Sequence, residues 1–256
     1  MEFINSSDNN TIKKIKKLKQ RKYREEEKKF LAEGRKFLDF DYLPELIILK
    51  ENFEEIKDIH SKLEKFNCRK IIVTDKIFRD LTSQENSQGV ILVYPYCTSK
   101  MDLLQNNILV LDKIQDPGNL GTIIRVADAS GFKDIILTKG SVDCYNEKCV
   151  RSSMGSIFNM NIIYLDEQFL LSFLKKNNYK LQVTALEKTS IEYTKMKLAD
   201  KNAIVFGNEG NGVSTNFLES ADECVIIPIY GSAESLNVAV ASSIILYKVR
   251  ELETLK

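Results

Sequence analysis

The stretch ILVLDKIQDPGNLGTIIRVADASGFKDIILT, residues 108–138, sets the class of fold. It opens on an apolar run, turns through Asp-Pro-Gly-Asn into helical spacing, and closes on a second apolar run. Strands that are apolar throughout are buried on both faces, and a helix between two of them is the crossover of a parallel sheet. The pattern continues with NIIYL (161–165), KLQVTAL (180–186), AIVFG (203–207) and CVIIPI (224–229) as strands. Helical spacing intervenes over 119–130, 168–176 and 235–251. The expected class is therefore α/β, with a parallel sheet covered by helices.

Two further blocks share the grammar of the first: VFGNEGNGVS (205–214) and IPIYGSAESLNVAVASSIILYKV (227–249). In each, an apolar run meets Gly and Asn before a polar turn or helix. Glycine allows positive φ and close approach to the backbone, and Asn tolerates left-handed turns. Three such strand ends, carrying Asn119, Arg125, Glu209, Ser235 and Asn237, suggest loops converging on one pocket at the carboxyl ends of parallel strands. Each residue also has a plainer reading. Asn119 and Ser235 suit helix N-caps, Glu209 a charged turn, and Arg125 a surface or phosphate-binding position. Leu236, Val240, Ile244 and Tyr247 share one stripe of the last helix, the mark of a core or subunit interface. Neither a dinucleotide-binding GxGxxG arrangement nor a P-loop is present.

The 256 residues, 43% hydrophobic and 29% charged, suit a globular protein of one large or two small domains. Thirty-seven basic residues oppose 36 acidic ones, so net charge names no partner. Its distribution says more. Lys13, Lys14, Lys16 and Lys17 crowd the start of a charge-rich helical segment over 11–40, whose basic cluster runs to Arg24 before the acids begin at Glu25. Such a cluster can contact phosphates, although most charge runs are solvated helix faces. Beyond it, LIIL (46–49), a helical pattern around His60 (51–66), IIV (71–73), a short helix near Phe78 and VILVY (90–94) form a small α/β unit. The domain boundary falls within 95–107.

His60, the only histidine, sits in a charged helical pattern, so chemistry by a histidine base is excluded. Cys68, Cys97, Cys144, Cys149 and Cys224 form no CxxC pair, which points to reduced thiols of a cytoplasmic protein and argues against zinc or any other metal. No apolar run approaches the ~20 residues that span a bilayer, and the N-terminus lacks a signal-peptide core.

The three blocks, in order and joined by DCYNEKCVRSSMGSIF (143–158), resemble the motifs of SpoU/TrmH-type RNA ribose 2′-O-methyltransferases, in the SPOUT class of knotted S-adenosylmethionine enzymes. The resemblance runs from 108 to 249. KFLAEGRKFLDF (29–40) and SQGVILVY (87–94) look like the small RNA-binding domain often fused ahead of it. Departures are Glu147 where Pro is frequent, Val126 where Thr is, and Ala239 where Ser is.

The resemblance implies an N-terminal RNA substrate-binding domain over 1–100 and a methyltransferase domain over 106–256 with a deep trefoil knot. It implies S-adenosylmethionine held by Gly207, Ile227, Leu236 and Asn237, largely through their backbone. Arg125 becomes the central catalytic residue, with Asn119, Glu209, Ser235 and Asn237 around it. Because arginine is hardly ever deprotonated in proteins, Arg125 is expected to position and stabilise charge, with Asn119 or Glu209 orienting it. RNA contacts fall to Lys13, Lys14, Lys16, Lys17, Arg125, Lys148 and Arg151. A homodimer is implied, with the last helix at its interface. The N-terminal domain favours 23S ribosomal RNA as substrate. Alternatives are a transfer-RNA methyltransferase and a non-catalytic RNA-binding or ribosome-assembly protein on the same scaffold.

Overall fold

The computed structural model describes residues 1–255 and divides the chain into two units: Met1–Cys97 with Asp143–Phe158, and Thr98–Val142 with Asn159–Lys256. The first unit begins with β1 (Glu2–Ile4), α1 (Asn10–Lys17), α2 (Arg21–Glu27), β2 (Lys29–Glu33) and β3 (Leu46–Lys50). It continues through α3 (Ile59–Glu64), β4 (Arg69–Val73), α4 (Asp75–Leu81) and β5 (Val90–Pro95). Its five strands lie in the order β1-β4-β3-β5-β2. β1 and β3 run parallel to β4, whereas β5 is antiparallel to both β3 and β2.

Spacing explains how the helices cover this sheet. Ile12, Ile15 and Leu18 recur every three residues, so one face of α1 joins Ile77, Phe78 and Leu81 of α4 over Ile48, Ile71 and Val93. The continuous helical segment expected over 11–40 is corrected: α1 ends at Lys17, and α2 is stopped by Lys28 in a left-handed conformation at φ 53°. Phe30, Leu31 and Ala32 are then wholly buried in β2, where sheet burial outweighs the helical propensity of the flanking charges. The helix expected over 51–66 shrinks to α3, because Asn52 and Asp58 take left-handed conformations that break it.

The second unit contains β6 (Asn107–Leu111), α5 (Pro117–Ala129) and β7 (Asp134–Thr138); α6 (Glu147–Ser152), next in the chain, belongs to the first unit. It resumes with β8 (Asn161–Leu165), α7 (Glu167–Lys176), β9 (Lys180–Thr184), β10 (Ile191–Glu192) and β11 (Asn202–Phe206). It closes with α8 (Thr215–Ser220), β12 (Glu223–Ile226) and α9 (Val238–Thr254). All seven strands are parallel, in the order β10-β12-β9-β11-β6-β7-β8. The chain lays β7 and β8 to one side of β6, then crosses to the other side. β11 pairs between β6 and β9, and loops from diverging crossovers meet at such a point.

The segment 143–158 departs from the boundary expected at 106, since it packs inside the first unit. Arg24, only 2% exposed, donates from Nε (2.8 Å) and Nη2 (2.6 Å) to Asp143 Oδ2. Its Nη1 donates to the carbonyls of Leu18 and Lys19. Tyr145 stacks on Tyr96 at 3.9 Å and packs on Phe30 at 4.6 Å, while Phe158 stacks on Tyr42 at 4.8 Å. Arg24 thus leaves the basic cluster: it is a buried structural cation, not a phosphate ligand. Among the described residues no helix is long and apolar enough to cross a membrane, and no group of three or more His, Cys, Asp or Glu could hold a metal ion.

Removing one partner of a buried pair leaves an uncompensated charge, so Arg24→Met should cost about 3–5 kcal/mol in denaturant unfolding followed by a probe in the first unit. Adding Asp143→Leu should recover most of it. A loss below about 1 kcal/mol would mean that the pair behaves like an exposed one.

Candidate active site

β6 and β11 pair in register, with Leu111 opposite Phe206, and Asp112 N donates to Phe206 O at 2.8 Å. The loops that follow, 112–116 and 207–214, therefore leave the sheet side by side. Asp116 caps α5, its Oδ1 accepting from Asn119 N at 2.8 Å, with Pro117 at the first helical position. This frees the Asn119 side chain from capping. Its Nδ2 donates to Glu209 Oε1 at 2.9 Å, and its Oδ1 accepts from Asn237 Nδ2 at 3.0 Å. Asn237 in turn caps α9, accepting at Oδ1 from Ala239 N and Val240 N. One amide chain, Glu209–Asn119–Asn237, thereby joins all three sequence blocks.

Glu209 faces the start of α5, where Gln115 N (3.3 Å) and Asp116 N (3.5 Å) also point at its carboxylate. Burial alone would raise its pKa. The donors Asn119, Gln115 and Asp116 outweigh that and hold it below the usual glutamate range, so it is an anion at neutral pH.

The loop bearing Glu209 is a tight fold-back. Asn208 and Gly212 exchange both backbone hydrogen bonds, Gly212 sits at φ +67°, and Asn208 Oδ1 accepts from Gly210 N and Asn211 N. A Cβ at Gly207 would overlap the backbone of Gly212 and Val213. Glycine is thus required there by the loop's own return.

A cleft of about 420 Å³ lies beside this constellation, lined by Thr184, Ala185, Leu186, Val225–Ile229, Glu234, Ser235, Leu236, Ala241 and Ile245. The backbone of 227–236 lies outside any strand or helix, so apolar walls here meet main-chain polar groups, as in small-molecule sites of this size. Of the expected cofactor residues, Ile227 and Leu236 line the cleft, whereas Gly207 and Asn237 do not.

Other expected residues fall as follows. α9 begins at Val238, so Ser235 is not its cap and lies in the preceding loop. Arg125 is exposed on α5 and makes no hydrogen bond or ion pair among the described residues. Six residues at 100° each set it about 120° around the helix from Asn119 and about 9 Å along it. The Asn119 side chain is bonded to Glu209 and Asn237 rather than to Arg125.

In the first unit, Lys13 pairs with Asp8, Lys16 with Asp80, and Lys17 lies over Tyr23. Lys14 and Lys148 are exposed, and Arg151 Nη1 donates to Ser83 Oγ at 3.1 Å. Sequence reasoning missed Asp116 and Asn208; only Asp116, directly before a proline, carried a local signal, the cap of a helix with Pro at its first position.

Because backbone cannot yield as a flexible side chain can, Gly207→Ala should displace the 208–212 fold-back. A crystal structure or loop amide exchange would read the displacement. An unmoved loop would contradict the requirement.

The SpoU rRNA Methylase family matches residues 106–247, and the MRM3-like substrate binding domain matches residues 9–92. The 23S rRNA (guanosine(2553)-2'-O)-methyltransferase RlmP of Bacillus subtilis is 35% identical over 98% of this chain and 100% of its own length. The crystal structure of AdoMet-bound rRNA methyltransferase from Sinorhizobium meliloti superposes with a TM-score of 0.86 at 27% identity, over 98% of this chain and 97% of that one. The A. aeolicus TrmH/SpoU tRNA modifying enzyme matches 59% of this chain and 77% of its own, with a TM-score of 0.52 at 30% identity. With more than half of its length matched by the family and a full-length relative above 30% identity, the chain belongs to the SpoU rRNA methylase family.

Proposed function

We propose that this chain is an RNA methyltransferase that carries the methyl group of S-adenosylmethionine to a ribose 2′-hydroxyl, with 23S ribosomal RNA as substrate. The observation that carries the reaction is the meeting of Asn119, Glu209 and Asn237 from three separate loops beside an apolar cleft. The choice of ribosomal over transfer RNA rests on coverage. The ribosomal-RNA relatives align along nearly the whole chain, the transfer-RNA enzyme along 59% of it.

S-adenosylmethionine supplies an activated methyl on a sulfonium sulfur when bound. The cleft suits it: Ile227, Leu236 and Ile245 offer apolar contact, and the open backbone of 227–236 offers donors and acceptors.

The hydrogen bonds divide the roles. Asn119 engages both ends of its amide within the protein, and Glu209 accepts three donors. These residues brace the site. Arg125 keeps its five N–H donors open to an incoming RNA strand. A guanidinium cannot serve as base at neutral pH, so Arg125 holds the ribose-phosphate and stabilises negative charge developing on the 2′-oxygen. Lys14, Lys17 and Lys148 of the first unit supply phosphate contacts.

On α9, Val240 and Tyr247 are 49% and 53% exposed, apolar surface that a homodimer through this helix would cover. A knotted C-terminus belongs to the same reading, supported by the late insertion of β11 between β6 and β9 and the packing of α9 against α5. Five cysteines without a disulfide suit a cytoplasmic enzyme.

The deciding experiment is transfer of labelled methyl from S-adenosylmethionine to separate pools of unmodified ribosomal and transfer RNA, with mapping of alkali-resistant dinucleotides. Label in ribosomal RNA at such a linkage is expected. Label in transfer RNA alone would overturn the substrate, and no label in either would overturn the reaction. Arg125→Ala should keep cofactor affinity within about twofold yet lose on the order of 10²-fold or more in turnover; near-parental turnover would sink its role. Tyr247→Glu should turn a dimer into a monomer in sedimentation, and an unchanged species would remove α9 from the interface.

A further inference from the structure

The loops after β6 and β11 are joined by two carboxylates that belong to none of the catalytic assignments. Asp112, fully buried, accepts from Thr138 Oγ1 at Oδ1 and from Ser214 N at Oδ2, both at 2.8 Å. Glu167, on the first turn of α7, reaches both loops at once. Its Oε1 accepts from Ser214 Oγ (3.0 Å) and Asn216 Nδ2 (2.7 Å), and its Oε2 from Lys113 Nζ (3.3 Å).

Lys113 is the pivot of the first loop. It holds a left-handed backbone at φ 55°, a conformation unfavourable for a non-glycine residue that persists only where its surroundings enforce it. Each of its polar groups is held: N donates to Thr138 Oγ1 (3.0 Å), O accepts from Asn208 Nδ2 (2.8 Å), and Nζ meets Glu167. Asn208 and Lys113 adjoin the residues that carry Glu209 and the start of α5.

Glu167 is not needed to cap its own helix. Asp166 does that, accepting from Gln168 N and Phe169 N. The Glu167 carboxylate is therefore committed to the loops, and its side chain is only 16% exposed.

We propose that Glu167 is a positioning residue for methyl transfer, holding Lys113 against Ser214 so that Asn119 and Glu209 meet in working register. The proposal rests on the role given above to the Asn119–Glu209 brace. Glu167 touches neither cosubstrate nor RNA. It acts on turnover, because loop misplacement on the ångström scale degrades alignment more than it degrades binding.

The two carboxylate oxygens allow the arms to be separated. Glu167→Gln keeps Oε1 for Ser214 and Asn216 but loses the ion pair with Lys113, whereas Glu167→Ala loses both. The full-length protein is assayed for methyl transfer to ribosomal RNA, with KM for each substrate and thermal melting read alongside. Glu167→Ala is expected to lower kcat by about 10–100-fold, with each KM within about threefold. Glu167→Gln should fall between it and the parent. Lys113→Met should match Glu167→Gln, and the double variant should be no worse than either, since both cut one contact.

A folded Glu167→Ala protein with kcat within about twofold of the parent would overturn the proposal. So would a lowered melting temperature with kcat untouched. Should Glu167→Ala not fold, parental kcat in Glu167→Gln and Lys113→Met overturns it, and matched, non-additive losses in the pair support it. Arg125→Ala and Asn119→Ala run in the same assay separate the two layers. If both collapse while the Glu167 variants do not, only this inference fails. If both stay active, the assigned site itself is wrong.

Discussion

Pairing of β6 with β11 is the constraint on which the rest of the site depends. The two strands are far apart in sequence, with β7, β8 and β9 lying between them along the chain, yet they are neighbours in the sheet. Both strands are buried on both faces, so a slip of one residue would exchange their core contacts. The register with Leu111 opposite Phe206 brings Asp112 beside the start of the glycine loop. There its carboxylate finds Thr138 and Ser214 N. A wholly buried carboxylate without those partners would cost several kcal/mol. The polar latch and the apolar register therefore enforce one another, and a slipped sheet would forfeit both.

That register also explains how the polar residues of the site can be so thoroughly engaged. An amide such as Asn119 offers one donor side and one acceptor side. Here the donor meets a carboxylate and the acceptor meets Asn237, which itself caps α9. The helix start that follows β6, the glycine loop that follows β11 and the helix start that follows β12 are thus tied by side chains whose geometry tolerates little error. A network satisfied in this way is rigid. A pre-organised site needs that rigidity, and Arg125, exposed on α5, stands outside the network.

Legibility in the sequence followed the physics of each element. The strands of the second unit were readable because they centre on apolar runs such as 135–137 and 162–165 between turn signals. β2 was not, since KFLAE stands inside a charge run whose local preference is helical; only its pairing with β5 reveals it. The start of α9 was misjudged by three residues because Ser235 and Asn237 are both good caps, and only the observed bonds from Ala239 and Val240 choose between them. The site residues were legible as types at strand ends. Their division of labour was not, because it depends on distances: Arg125 lies around the helix from Asn119, and Gly207 is hemmed in by its own loop. Glu167 gave no signal at all, for an acid in a first helical turn is ordinary.

The same distinction between residue type and position reshapes the basic segment. As composition, Lys13 to Arg24 is one cationic run. In the fold, Arg24 is consumed by Asp143, Lys16 by Asp80, and Lys19 by the carbonyls of Asp80 and Thr82. The lysines of α1 lie on its solvent face, because Ile12 and Ile15 turn the other face into the core. Phosphate contacts set the salt dependence of binding, each contributing to the slope of affinity against salt concentration. A segment of eight cations by count thus has only a few free of intramolecular pairing, and a charge held in a buried pair has no counterion to release to an incoming anion.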